Sequence, residues 1–345
     1  MGSKRKIKLL LAGLLLMMTM AQSCQKHATP APDPEIWVLF SPDGLGDLSY
    51  NDVVLRGIEL FMNEEDAEFY ISFMSPDDYE MARFLIQLWW DEREATDAED
   101  GTVPRKMLML ADGRYGDMAR EIIDPALIGK DLSVLAFETG TPADASDALR
   151  SFELSLYGAS WLAGRTAREL GCGQPLVVLG DGSSEVIGGG RDGFTDGFNS
   201  QVPVHTLAND WQGYCMPMDA YQLMYGWDGT YDFVYSIAGG TNMGIYRYLR
   251  ENPECGIYTA GMDTDQSPYS TLITGSMVKR IDLVVYDYLN HWFNRDDVPV
   301  HQVFGLESGF VDWVIPERYS HLKPAIEALR QEAIQKEHAY ENGRH

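Results

Sequence analysis

Three short stretches collect side chains able to hold a polar small molecule. "GLGDLSYND", Gly44–Asp52, crowds Asp47, Ser49, Tyr50 and Asn51 between an apolar run and a helical pattern. "GMDTDQ", Gly261–Gln266, offers Asp263 as an acceptor for the hydroxyls of a diol. "GSMVKRIDLVVYDYL", Gly275–Leu289, offers Lys279, a cation that can pair with Asp263 or donate to a ligand hydroxyl. A flat ring, a carboxylate and an ammonium suit recognition. Catalysis asks for more: Asp263 and Asp265 stand two residues apart, but no nucleophile or leaving-group acid neighbours them, so no enzymatic activity is expected. Plainer roles stay open, since Asp47 or Ser49 could cap the following helix and Lys279 could be a solvated lysine. Capping leaves Tyr50 unexplained.

Other loops are weaker. "AGGTNMG", Ala238–Gly244, places Gly239 and Gly240 at a strand end, where glycine permits either close approach of backbone N–H groups to a ligand or tight packing. "LGDGSSEVIGGG", Leu179–Gly190, fails as a dinucleotide fingerprint, because Glu185 stands where the third glycine would be and its charge would oppose a pyrophosphate. It fails equally as a nucleophile elbow, since Ser183 and Ser184 run into Glu185 and Val186. The seven histidines are scattered, and Cys172, Cys215 and Cys255 are widely spaced; no metal and no cofactor is expected, though one cysteine pair could bridge in an oxidising compartment.

The elements that must position these residues begin after a leader. Lys4, Arg5, Lys6 and Lys8 precede the apolar run Leu9–Met20, which is too short to span a bilayer and reads as a signal-peptide core. "MAQSC" follows, with Cys24 where a bacterial lipoprotein is cut and acylated, and the proline-punctuated "QKHATPAPDPE", Gln25–Glu35, reads as a tether. The whole chain of 345 residues carries a net charge of −25, and removing a basic leader makes it more acidic still. A nucleic-acid partner is therefore excluded, because phosphate neutralisation needs a basic surface.

Beyond the tether, β-rich runs at Ile36–Phe40, Phe69–Met74, Lys106–Ala111, Leu132–Phe137, Pro175–Leu179, Val202–Leu207, Phe233–Ile237 and Gly256–Ala260 alternate with helical stretches. Continuous apolar strands between helices predict α/β architecture with parallel sheets covered on both faces. A late helix, Met277–Phe293, an extended segment, Phe310–Ile315, and a terminal helix around Leu322–Ile334 do not fit one even barrel repeat, so two open sheets fit better. "TGTPADASD", Thr139–Asp147, marks a boundary, and the acidic run Asp91–Asp100 reads as a solvated loop. Within the late helix Ser276 reads as the N-cap, which puts Lys279 and Arg280 in a first turn where the macrodipole disfavours cations by roughly 0.3–1 kcal/mol. A partner for Lys279 would offset that cost.

In sequence order the motifs resemble those of the basic membrane protein family, PnrA-like lipoproteins that serve as substrate-binding components of nucleoside ABC transporters. "GDLSYN" is similar to the family's D-[DK]-x-S-F-N loop, "YGASWLAGRTA" to its E-G-S-F-L-A-G helix, and "VYSIAGGTNMG" to its strand and AGGTGxG turn. "GMDTDQ" matches G-x-D-x-D-Q, and "GSMVKRIDLVVYD" matches S-M-x-K-x-x-D-x-A-V. The resemblance runs from about Trp37 to about Tyr288. It implies two Rossmann-like lobes of type I periplasmic-binding-protein architecture, joined by three crossovers, with a purine-type nucleoside in the cleft.

Carried over by motif, Tyr50 takes the base-stacking position in the first lobe with Asn51 beside it, and "GYCMP" points to Tyr214 as the opposing ring, with Trp211 as the fallback. Asp263 and Lys279 match the ribose-binding acid and lysine, Gly239 and Gly240 the close backbone turn, and Asp112 of "ADGRYGD" a region that contacts the base. The chain departs from the pattern at Tyr50 and Tyr214, which replace phenylalanines, and at Met216 and Tyr157, which replace acids. The implied division is 1–23 signal peptide, 24–35 tether, 36–139 plus 268–297 first lobe, and 140–267 plus 298–340 second lobe. The implied protein is a lipid-anchored, extracytoplasmic solute-binding protein serving an ABC permease, touching the membrane only through its anchor. A sugar-binding protein of the same fold and a surface scaffold lipoprotein are the alternatives.

Overall fold

Apolar runs that cannot face water on either side become the inner strands of two sheets. The computed structural model describes residues 33–64, 68–93, 103–129, 131–139 and 149–344. The leader, the acylation site Cys24, most of the tether, and most of the acidic run and of the Thr139–Asp147 segment lie outside the described residues. Both sheets belong to one compact unit, Asp33–Ala95 with Arg105–His345; the other unit, Met1–Pro32 with Thr96–Pro104, falls almost wholly outside the description.

The first sheet contains β1 (Glu35–Phe40), β2 (Tyr70–Met74), β3 (Lys106–Ala111), β4 (Leu132–Phe137) and β5 (Arg150–Leu154). The second contains β6 (Pro175–Asp181), β7 (Val204–Ala208), β8 (Phe233–Ile237), β9 (Tyr258–Asp263) and β10 (Ile273–Lys279). Late in the chain β11 (His301–Phe304) returns to the first sheet and β12 (Val311–Val314) to the second. The orders are β11-β5-β4-β3-β1-β2 and β12-β10-β9-β8-β6-β7, parallel throughout except for the antiparallel β10–β12 pair. β3, β6 and β8 are buried along their whole length, as parallel strands covered by helices on both faces require.

The intervening helices are α1 (Tyr50–Glu64), α2 (Tyr79–Asp91), α3 (Tyr115–Ile122), α4 (Tyr157–Glu169), α5 (Glu185–Phe198), α6 (Pro217–Trp227) and α7 (Asn242–Glu251). Then come α8 (Ile281–Phe293), the short α9 (Lys323–Glu327) and α10 (Arg330–Arg344), the last two standing where one terminal helix was expected. Glycines farther along α5, beyond the rejected fingerprint, serve packing. A Cβ on Gly193 would lie 2.2 Å from the Tyr157 carbonyl oxygen and one on Gly197 2.1 Å from that of Trp161, so α5 packs backbone to backbone on α4.

Three expectations need correction. β5, assigned to the second lobe, pairs in the first sheet between β4 and β11, so the chain leaves the first lobe after Leu154. Residues 273–279, assigned to the first lobe, are a strand of the second, while α8 beyond them packs on α1 of the first. Ser276 is therefore no N-cap, and Lys279 ends a strand instead of opening a helix. Short apolar segments carry no periodicity that separates the two, and here pairing with β9 and β12 decides.

Candidate functional site

The loops after parallel strands converge where the two sheets face each other, and a cavity of about 750 Å³ lies there. Of the residues expected at the site, Tyr50, Asp112, Tyr214, Gly239, Asp263 and Lys279 line it.

Asp263 and Lys279 terminate the neighbouring strands β9 and β10, and their register brings the side chains together: Nζ of Lys279 lies 3.2 Å from Oδ1 of Asp263, with both side chains almost fully buried. Burial alone would depress the lysine, but Asp263 and Glu138 hold its pKa above the ordinary value. Asp263 has φ +66°, a left-handed conformation that costs a non-glycine residue about 1–3 kcal/mol and concentrates at functional sites. A buried ion pair is weak evidence of stability, because desolvation cancels much of the attraction. Its placement on strained backbone at a cavity wall points to ligand handling.

Tyr50, at the start of α1, lies beneath Lys279, whose Nζ is 5.6 Å from the ring centroid. Its hydroxyl is shut off from solvent with no hydrogen-bond partner among the described residues. Burial raises its pKa well above the usual value, and the surrounding carboxylates add to the shift. Tyr214 enters from the second lobe on a 3₁₀ turn, Trp211–Tyr214, started by the Asp210 carboxylate. Its ring lies against backbone: a Cβ on Gly180 would sit 2.5 Å from it, and one on Gly239 3.5 Å. Gly180 and Gly239 thus seat the ring, the packing role left open for the AGG turn.

The remaining expected residues do not line the cavity. Asp47 is the cap of α1: its carboxylate accepts from the N–H groups of Ser49 at 2.9 Å, Asn51 at 2.8 Å and Asp52 at 3.2 Å, while burial pushes it up to about 7. Asn51 is fully buried and braces the loop, its amide donating to Ser41 Oγ, Asp43 Oδ1 and the Gly44 carbonyl. Ser49 donates across the lobes to Oδ2 of Asp263. Gly240 sits where a Cβ would approach the Tyr214 and Asp47 carbonyls at 3.1 and 3.3 Å. Trp211, at the other end of the Tyr214 turn, is not a lining residue.

Two lining residues, Arg114 and Glu138, are not among those expected from the sequence. Arg114, at the mouth, donates to Ser183 Oγ at 2.6 Å and the Asn209 carbonyl at 2.8 Å, lies 3.4 Å from Asp181, and rests over the Tyr79 ring at 5.2 Å. It joins the lobes, as does Gln266, whose amide donates to the Leu48 carbonyl at 3.0 Å. Asp112, which accepts from the Arg114 N–H at 2.8 Å, and Glu138, just past β4, are both pushed up to about 7 by burial. "ADGRYGD" could have flagged Arg114; nothing in the sequence flags Glu138.

Cys172, Cys215 and Cys255 are free thiols, so the disulfide left open from the sequence does not form. Among the described residues no group of three or more histidine, cysteine or acidic side chains could hold a metal, and no helix is long and apolar enough to cross a membrane.

Two six-stranded sheets joined by crossings late in the chain also occur in solved proteins. The chain superposes on an ABC transporter solute-binding protein from Aeropyrum pernix K1 with a TM-score of 0.67, covering 88% of this chain and 92% of that one at 17% identity. This is the type I periplasmic-binding-protein fold. The glucose-galactose binding protein GanP from Geobacillus stearothermophilus shares it, with a TM-score of 0.56, 15% identity and 82% and 98% coverage. So does the Lac repressor bound to ONPG, with a TM-score of 0.59, 13% identity and 91% and 89% coverage. These neighbours are binding proteins and a repressor, and the likeness is one of fold. No family model matches the sequence, and no curated protein matches it in a sequence comparison.

Proposed function

We propose that the chain is an extracytoplasmic solute-binding protein of the basic membrane protein type, anchored by lipid at Cys24, that closes two lobes over a nucleoside and presents it to an ABC permease. The observation that carries this reading is the meeting, in one cavity, of Tyr50 from the first lobe, Tyr214 from the second and the buried Asp263–Lys279 pair. Rings of this kind take a base and the charged couple takes ribose hydroxyls. Micromolar affinity needs about 8 kcal/mol net. Ring contacts contribute about 1–3 kcal/mol each and hydrogen bonds to charged groups about 1.5–3 each, so the groups present suffice.

A sugar is the second reading. It is favoured by the buried carboxyls Asp112 and Glu138, which suit a ligand rich in hydroxyls, and by the fold shared with a glucose-galactose binding protein. A thermal-shift panel of nucleosides, free bases and sugars on the mature chain separates the readings, because a ligand at about 100 Kd adds about 2.7 kcal/mol of stability. Stabilisation by nucleosides is the expected result. Stabilisation by sugars alone replaces it with the second reading, and silence across the panel leaves a scaffold lipoprotein.

A further inference from the structure

The buried groups around Lys279 are arranged as a two-sided grip with unfilled bonding capacity. Glu138 follows β4 in the first lobe and Asp263 ends β9 in the second; both adopt left-handed backbone, φ +52° and φ +66°, although neither is glycine. Each carboxylate has one oxygen committed to the protein. Oε2 of Glu138 accepts the Leu154 N–H at 3.2 Å, and Oδ2 of Asp263 accepts the Ser49 hydroxyl.

The other oxygen of each, Oε1 of Glu138 and Oδ1 of Asp263, is closed to solvent and accepts no aligned hydrogen bond among the described residues, Oδ1 having only the Lys279 ion pair beside it, and the Tyr50 hydroxyl likewise has no partner among them. All three residues line the cavity with Lys279, whose ammonium feels both carboxylates. Buried polar atoms without hydrogen-bond partners are costly and uncommon, so three of them converging on one space beside the Lys279 ammonium imply a group that satisfies them together. The inventory is two acceptors and two donors. Two adjacent hydroxyls match it: each donates to one carboxylate and accepts from the ammonium or the phenol.

We propose that Glu138 is a specificity-determining residue which, with Asp263, brackets a vicinal diol of the ligand. The inference rests on the nucleoside reading only for the identity of the ring that bears the diol. A carboxylate on each side makes recognition conditional on both hydroxyls, so ligands lacking one of them are rejected even though rings and base contacts are unchanged.

The test is calorimetric titration of the mature chain and of Glu138→Gln with adenosine, guanosine, their 2′-deoxy and 3′-deoxy counterparts, D-ribose and 2-deoxy-D-ribose. In the wild-type chain loss of one hydroxyl should weaken binding at least about tenfold, as expected for a hydrogen bond to a charged group. Glu138→Gln should narrow that ratio to about threefold or less, chiefly by weakening the diol-bearing ligand. Glu138→Asp, which keeps the charge and shortens the reach, repeats the reading if the amide variant fails to fold. Equal wild-type binding of nucleosides with and without the diol overturns the inference and leaves the nucleoside reading standing. So does an equal loss for both kinds in Glu138→Gln, the mark of a structural role. Discrimination between the two free sugars without any nucleoside binding, abolished in Glu138→Gln, supports the diol grip and overturns the nucleoside. No binding of any of these ligands overturns both.

Discussion

Two of the bridges across the cleft differ in their access to water. At the inner one Ser49 meets Asp263, and the side chains of Asp263 and Lys279 are 4% and 7% exposed. At the outer one Arg114 reaches Asp181, Ser183 and Asn209 with its own side chain 41% exposed. In the dry bridge every charge must keep its partner, because an orphaned ion there loses its hydration and gains nothing. In the wet bridge water replaces whatever the protein withdraws, and salt screens the rest. The inner bridge therefore holds a single geometry, while the outer one costs little to break.

Asp263→Asn should separate the two bridges most sharply. Asparagine tolerates left-handed backbone, so the substitution mainly removes the charge opposite Lys279, and urea denaturation should register a loss of about 3 kcal/mol together with loss of nucleoside binding. Unchanged stability would place the inner bridge in the same class as an exposed pair.

A smaller effect is expected from pH. Burial raises Glu138 from 4.5 to about 7, so the folded chain binds this proton more tightly than the unfolded chain does. The contribution is complete below about pH 4.5 and is lost as pH rises to about 7. Glu138→Gln cannot titrate there, so wild type should lose stability relative to it between pH 5 and 8; urea midpoints that stay parallel would contradict the assignment. Arg114→Ala should do least, about 0.2–1 kcal/mol, with the difference fading at 1 M salt. Small-angle scattering should show a larger radius for this variant without ligand, and an unchanged radius would remove Arg114 from the closing machinery.

The inner bridge was legible in the sequence and the outer one was not. Asp263 and Lys279 stand in quotable motifs, but the pattern around Lys279 predicts a helix because "GSMVK" is too short for periodicity to separate strand from helix. Its pairing with Asp263 holds for a different reason, the register of β9 and β10. "GDLSYN" contributes one lining residue, Tyr50; its Asp47 and Asn51 hold the loop, the plain capping role that the sequence had left open for Asp47. β5 and β11 escaped notice because "RSFEL" and "HQVF" mix polar and apolar residues. The buried Glu153 of β5 becomes tolerable only through Arg344, whose Nη1 lies 2.5 Å away after an interval no local pattern spans. Glu138 stands beside a stretch rich in small and polar residues, and left-handed backbone at a glutamate leaves no trace in composition.

The threading of β11 has a consequence for the order in which the molecule can be made. A nascent chain that has released β1 to β5 still exposes the β5 edge of the first sheet until residues 301–304 emerge, by which time all but one strand of the second sheet has been synthesised. Each sheet is completed only when its edge strand, β11 or β12, emerges late in synthesis, in contrast to the usual domain-by-domain sequence. Such a polypeptide keeps an unpaired strand edge open to chaperones until its synthesis is nearly over.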